Sequence, residues 1–289
     1  MGQSGKVAVL GLDGVPYSLL KELFENGVMP CMASVAEAGT FLPMRTVLPA
    51  VSSVAWTSFM TGKGPGDHGI FGFTDLKPGE IALHLPSFDD IRRPVIWHEL
   101  SQATALVVNL PFTFPARPLR GILIAGFVAP VFERSVYPES LVPWLKSRGY
   151  RFDVDAMRGR HDRGFLIKDL FETLRLHTEA MLSLMESTSW DLFIGVITGT
   201  DRLHHFLFDA YYDPEHPYHS DFTAFYSEID SFFGRLQDRL RNGTRLILLS
   251  DHGFTRLEMQ VYLNHILRTR GYLRFSRPGA DSLADIDPS

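Results

Sequence analysis

The sequence predicts an α/β fold in which a mostly parallel central sheet lies between helices. Two observations carry this expectation. Short apolar runs bounded by turn residues alternate with longer segments of helical period. Five of those runs are rich in Val, Ile, Leu and Phe, as strands buried on both faces are. In chain order the elements are a strand over Lys6 to Leu12, helices over Pro16 to Asn26 and Ser53 to Thr61, and strands over Thr104 to Leu110 and Gly121 to Ala125. A helix over Ile167 to Ser187, a strand over Asp191 to Thr198, a helix over Phe222 to Arg241, a strand over Thr244 to Ser250 and a helix over Gln260 to Arg270 complete the series.

Residues 1–275 are read as one domain, long enough to bury a sizeable core, with a loose polar tail over 276–289. Between 74 and 163 prolines and aromatics become frequent. This stretch can supply small inserted cap elements over a site, yet two of the core strands also fall within it, so no boundary is drawn there. The formal net charge of -5 offers no basic face for nucleic acid or anionic membrane. No apolar run reaches the roughly 18 residues of a membrane span, and no signal-peptide pattern opens the chain. The single cysteine, Cys31, excludes an intrachain disulfide, which points to a reducing, cytoplasmic setting.

Three predicted strands run into acidic residues: Asp13, Asp201 and Asp251. In a parallel sheet such ends share one edge, where open α/β sheets bind ligands. One strand-end Asp is usually a turn former or helix cap; three together, two of them beside histidines, read as a site. Asp251 and His252 are adjacent, and Gly253 after them is read as letting the backbone turn sharply. Asp201 and His205 stand four apart, which puts both on one face of a helix, as a two-ligand metal clamp requires. His204 would then point elsewhere, into the interior. Mixed Asp and His donors suit zinc, or alternatively manganese, better than calcium or magnesium, and two such groups suggest two divalent ions. Ser52 stands at the start of an apolar helix; the plain account is an N-cap, and the functional one is a hydroxyl held at the positive end of a helix dipole.

The strings Gly11-Leu12-Asp13-Gly14, Pro49-Ala50-Val51-Ser52 through Thr61-Gly62 to Pro65-Gly66-Asp67-His68-Gly69-Ile70, Thr200-Asp201-Arg202-Leu203-His204-His205 and Ser250-Asp251-His252-Gly253 resemble the type I phosphodiesterase and nucleotide pyrophosphatase branch of the alkaline phosphatase superfamily. The resemblance implies an alkaline phosphatase-like fold and a hydrolase of small phosphate esters. It also implies Ser52 as nucleophile, with Ser53 as second choice. Asp13, Asp251 and His252, with Ser52, would hold one metal, and Asp201 with His205 the second. The implied course is attack by Ser52 on phosphorus, a covalent intermediate, and its hydrolysis.

Two features depart from the family pattern. Phe71, Gly72 and Phe73 stand where an Asn holds a phosphate oxygen. The only histidine after His252 is His265, a poor match to a further ligand of the second metal. The chain is then either a shortened family member or one that holds its second metal weakly. A phosphomonoesterase of the same superfamily, or a catalytically impaired metal binder, are the alternatives. A sulfatase would need a Cys-x-Pro-x-Arg type string, and Cys31 is followed by Met32, Ala33 and Ser34; a phosphoglycerate mutase would be much longer. His68 is read as packing in a turn, His216 and His219 as surface loop, Lys63 as solvent-facing, and Arg202 as either reaching phosphate or forming an outward salt bridge.

Overall fold

The computed structural model describes residues 5–76 and 82–275; the tail expected over 276–289 lies outside the described residues. Its strands are β1 (Val7–Leu12), β2 (Asp75–Leu76), β3 (Leu83–His84), β4 (Ala105–Leu110), β5 (Gly121–Ala125), β6 (Val136–Tyr137), β7 (Leu192–Ile197) and β8 (Arg245–Leu249). The α-helices are α1 (Tyr17–Glu25), α2 (Pro30–Ala38), α3 (Ser52–Thr61), α4 (Pro65–His68), α5 (Ile96–Glu99), α6 (Val142–Ser147), α7 (Ala156–Gly159), α8 (Arg163–Ser187), α9 (Gly199–Tyr212), α10 (His219–Gln237) and α11 (Leu263–Thr269). The central sheet has the order β6-β5-β4-β7-β1-β8. All its pairings are parallel except that of β5 with β6, as the α/β reading requires. Within the stretch where a cap was considered, β4, β5 and β6 belong to this sheet, and among the described residues β2 and β3 pair antiparallel as a separate two-stranded sheet.

Because side chains of a strand alternate between faces, each inner strand feeds two cores. Ala8, Leu10, Leu106, Val108, Ile122 and Phe193 join one cluster with residues of α1, α2, α8 and α10. Val9, Val107, Leu123, Ile194 and Val196 join the other, against Trp56 and Met60 of α3 and Trp97 of α5. Trp56 is fully buried, and truncating a residue of this kind costs about 3–5 kcal/mol. Its close approach to β1 requires Gly11, where an added Cβ would stand 2.4 Å from the Trp56 ring.

Two expectations are corrected, and one helix is added. The strand over Thr244 to Ser250 exists as β8 but is not buried on both faces: it is the last strand of the sheet, with Arg245 and Ile247 exposed. The last helix is only Leu263–Thr269 and buries no residue. Helix α2, absent from the expected elements, opens on Pro30 at its first position, and the N–H groups of Cys31 and Met32 are capped by Asp230 of α10 at 2.9 and 2.8 Å, a partner about 200 residues away.

Candidate metal centre

Parallel pairing places the ends of β1, β7 and β8 on one edge, and the site grows there. Asp13 follows β1 directly, its N–H donating to the Ile197 carbonyl at the end of β7 at 3.1 Å. Its carboxylate Oδ1 accepts from Ser52 Oγ at 3.2 Å and from Trp56 Nε1 at 3.4 Å. Asp251 follows β8; its Oδ1 accepts from the Gly14 N–H at 3.1 Å. His252 Nδ1 donates to the Gly253 carbonyl at 2.8 Å, which fixes the tautomer and leaves the Nε2 lone pair toward Ser52 Oγ, 3.0 Å away. A ligating histidine is commonly oriented by such a bond from its other nitrogen.

Ser52 is the first residue of α3, the preceding Val51 makes no side-chain cap, and the Ser52 hydroxyl is directed at Asp13 and His252. The N-cap account therefore does not hold for it. Ser53 is wholly buried, with its hydroxyl partnerless among the described residues, and it does not line the cleft.

Donor atoms of Asp13, Asp251 and His252 lie within 4.8 Å of one another. Ligands about 2.1 Å from a tetrahedral ion stand roughly 3.4 Å apart, and His252 Nε2 is 3.5 Å from Asp251 Oδ2 and 3.7 Å from Asp13 Oδ1. Asp251 Oδ2 is buried without a hydrogen-bond partner, a condition that costs about 1–3 kcal/mol unless something pairs with it. Burial, followed by the neighbouring charges of Asp251 and Asp201, pushes the Asp13 carboxyl well above the usual carboxylate range, and burial raises Asp251 as well. Crowded buried carboxylates, an orphaned oxygen and a free imidazole lone pair together fit a divalent cation.

Asp201 and His205 lie one turn apart on α9, with Nε2 and Oδ2 separated by 3.4 Å. The two groups meet across Gly14, whose φ is +66°; an added Cβ there would stand 3.0 Å from Asp201 Oδ1 and 3.1 Å from His252 Cε1. Gly14 is thus the left-handed, side-chain-free position of the site. Gly253 is not: its φ lies outside that region and a Cβ would meet nothing nearer than Pro16 at 3.9 Å. The backbone bends at Asp251 and His252, directly before Gly253. Among the described residues the second group gains no third Asp, Glu, His or Cys ligand, and His265 sits exposed on α11.

Other residues of the site were missed because their role is to hold backbone. Thr200 Oγ1 donates to the Asp13 carbonyl at 2.6 Å, Thr46 Oγ1 to that of Asp251 at 2.5 Å, and Ser250 Oγ to that of His252 at 2.8 Å. No spacing in the sequence marks them. His204 is interior, donating from Nδ1 to the Gly14 carbonyl at 3.0 Å and accepting from Tyr226 OH at 2.7 Å; burial pushes it down to about 3, so it is neutral. His68 fastens a turn through Ser58 and the Ile70 N–H. His219 bonds the Ala210 carbonyl and His216 accepts from the Tyr218 N–H, both local fastenings. Arg202 forms a salt bridge with Asp153, but inward, against the cleft.

A cleft of about 790 Å³ opens over these groups, lined by Asp13, Ser52, Asp201, His205 and His252 together with Phe73, Phe127, Arg202 and Phe254. Two other concavities, of about 440 and 350 Å³, lie away from them, one between α8 and α10 and one beside Trp190.

Fold and site together define a class: α/β proteins that carry Asp, His and Ser at the carboxyl edge of a central sheet. The sequence profile of the type I phosphodiesterase / nucleotide pyrophosphatase family matches residues 7–289, and the chain belongs to that family. Its fold is shared with phosphonoacetate hydrolase from Sinorhizobium meliloti 1021. The structure in complex with phosphonoformate matches at a TM-score of 0.66 and 18% identity, and that with phosphonoacetate at 0.62 and 16%. Each match covers 96% of this chain and 66% of the other, so this chain spans slightly under two thirds of that protein's length.

Proposed function

We propose that this chain is a metal-dependent hydrolase of small phosphate esters, a phosphodiesterase in preference to a phosphomonoesterase, with Ser52 as nucleophile. The observation that supports this most directly is the Ser52 hydroxyl, lining the cleft at the start of α3, 3.2 Å from Asp13 and 3.0 Å from His252. Asp13, Asp251, His252 and Ser52 would hold one divalent ion, and Asp201 with His205 the other; the mixed donors favour zinc, with manganese as the alternative. Bound there, two ions supply positive charge that favours the deprotonated serine and offsets the charge gathering on the phosphoryl and leaving oxygens.

The chain's own groups do the rest. Trp56 Nε1 and the Gly14 N–H hold the two carboxylates in place, and the Gly253 carbonyl orients the His252 ring with Nε2 toward Ser52. Ser52 Oγ forms a bond to phosphorus as the bond from phosphorus to the leaving oxygen breaks. Water then cleaves the phosphoserine ester and restores the hydroxyl. The positive end of α3 favours the negative charge that develops at Ser52.

One catalytic domain over 1–275 and a reducing, cytoplasmic setting complete the proposal, the latter supported by the lone Cys31. Among the described residues no helix is long and apolar enough to cross a membrane. One observation favours a second reading: the Asp201–His205 group has only two side-chain ligands, as a catalytically impaired metal binder would have.

The test is turnover of bis-p-nitrophenyl phosphate against p-nitrophenyl phosphate by metal-free protein, with and without added zinc or manganese. Faster metal-dependent diester cleavage supports the phosphodiesterase, and faster monoester cleavage moves the assignment to a phosphatase. Two zinc equivalents per chain support the enzyme; one or none, with no turnover, supports the impaired form.

A further inference from the structure

The turn that follows β1 lies between α9 and the end of β8, and two of its peptide groups are held from both sides. In the Asp13–Gly14 peptide the carbonyl accepts from Thr200 Oγ1 at 2.6 Å, while the N–H donates to Asp251 Oδ1 at 3.1 Å. In the Gly14–Val15 peptide the carbonyl accepts from His204 Nδ1 at 3.0 Å, while the N–H donates to Ser250 Oγ at 2.9 Å. Ser250 Oγ in turn donates to the His252 carbonyl at 2.8 Å. Each peptide is thus a rung, with α9 at one end and the segment that carries Asp251 and His252 at the other.

Thr200 and His204 stand four apart on α9, each directly before a residue of the Asp201–His205 group. One stripe of the helix therefore offers ligands to the second metal group, and the neighbouring stripe grips the backbone that supports the first. Thr200 is fully buried, and its other acceptor is the Ile197 carbonyl at 3.0 Å. A carbonyl can only accept, so His204 Nδ1 carries the proton, and the opposite Nε2 accepts from Tyr226 OH at 2.7 Å. His204 and Tyr226 are no more than 2% exposed. The His204 ring stacks on Phe222 at 5.7 Å and meets Phe254 edge to face at 5.2 Å, so it has no room to swing away. Losing either donor would leave a carbonyl of this buried turn unpaired and would remove the polarisation that strengthens the bond at the far end of the rung.

We propose that Thr200 and His204, the latter oriented by Tyr226, are positioning residues for the first metal group: through the two peptides they set the Asp251 carboxylate and the backbone of His252. Helix α9 then aligns one group while carrying the ligands of the other. This rests on the metal-centre reading above. It assigns the histidine beside His205 to the metal group that His205 does not serve.

The test is zinc binding in competition with an indicator dye, with the visible absorption of the Co²⁺ form as a second readout of geometry. His205→Ala, which strips the second group, tells the two equivalents apart. Thr200→Val and His204→Leu each weaken the first equivalent about tenfold to 100-fold, the range for partners that orient ligands, and leave the second unchanged. His204→Gln, whose amide can donate to the Gly14 carbonyl, restores most of that loss. Tyr226→Phe, which removes one hydroxyl and keeps the ring, weakens the first equivalent by less than His204→Leu and shifts the absorption of its Co²⁺ form. Thr200→Val and Tyr226→Phe each remove a single hydroxyl, so they carry the test even where His204→Leu does not fold. Weakening of the second equivalent alone, or of both alike, overturns the clamp, as does a lower melting temperature with both zinc affinities unchanged; each of these leaves the metal centre standing. Wild-type protein that binds no zinc overturns the metal-centre reading and the clamp with it.

Discussion

The two halves of the candidate metal centre are built to different standards. Asp13, Asp251 and His252 come from the ends of two adjacent strands, are tied to backbone at Gly14 and Gly253, and have side chains no more than 10% exposed. Asp201 and His205 share one helix, rely on its single-turn spacing for their geometry, and leave the His205 side chain 55% exposed. Strand ends in a parallel sheet converge from distant sequence and are locked by ladder hydrogen bonds, so that group is ordered before any ion arrives. A helix face offers two ligands cheaply but leaves one of them to solvent. The first group is therefore expected to bind metal tightly and the second weakly.

Asp251→Asn should have the largest effect. It removes a charge from the preorganised group, and both its metal and essentially all turnover should be lost together; inductively coupled plasma measurement of zinc alongside diester hydrolysis checks this, and retained metal at the first position would break the comparison. Ser52→Ala should lower turnover by about 1,000-fold or more, as loss of a nucleophile does, while zinc content stays unchanged. Full turnover in that variant would remove Ser52 from its role. His205→Ala should weaken the second equivalent by about 100-fold or more, taking the outer-ligand range as a floor, and leave the first intact. Competition against a zinc indicator dye separates the two, and simultaneous loss of both would show that the halves are one cooperative unit.

The smallest effect lies away from both halves. His177 of α8 is buried, donates from Nε2 to the Arg151 carbonyl at 2.7 Å and accepts from Asn109 at 3.1 Å; burial pushes it down to about 4 from 6.5. The unfolded chain thus takes up a proton as pH falls below 6.5 while the folded chain does not. Stability from this group is full above about pH 6.5 and falls by up to about 3 kcal/mol toward pH 4. In urea unfolding series across that window, His177→Gln should flatten the slope by up to one proton; an unchanged slope would assign acid sensitivity elsewhere.

Much of this site could be read from the chain, and the unread part has one cause. Asp13, Asp201 and Asp251 were visible because an apolar strand that ends in an acidic residue is a local pattern, and Asp201 with His205 because helical spacing is local too. Thr46, Thr200 and Trp56 were not, because each acts on a residue that only folding brings near. Trp56 reaches Asp13 across 43 positions, and Thr46 reaches Asp251 across 205. The Asp153–Arg202 pair spans 49 and crosses from a loop to a helix, so neither residue carries a mark of its partner. Gly14 and Gly253 make the same point: both follow the site's acidic residues, yet only the packing of Asp201 and His252 around one of them shows which must lack a side chain.

The sequence by itself determined the α/β class, five of the six strands of the central sheet, the family, and the candidate ligand types, because strand periodicity, apolar content and short motifs are properties of neighbouring residues. Tertiary structure alone decided the strand order, the exposed position of β8, the capping of α2 by Asp230, the burial that raises Asp13 and Asp251, and the unequal exposure of the two metal groups. Those depend on which surfaces meet. Contact between distant residues is set by the summed packing of the whole core, which no local pattern encodes.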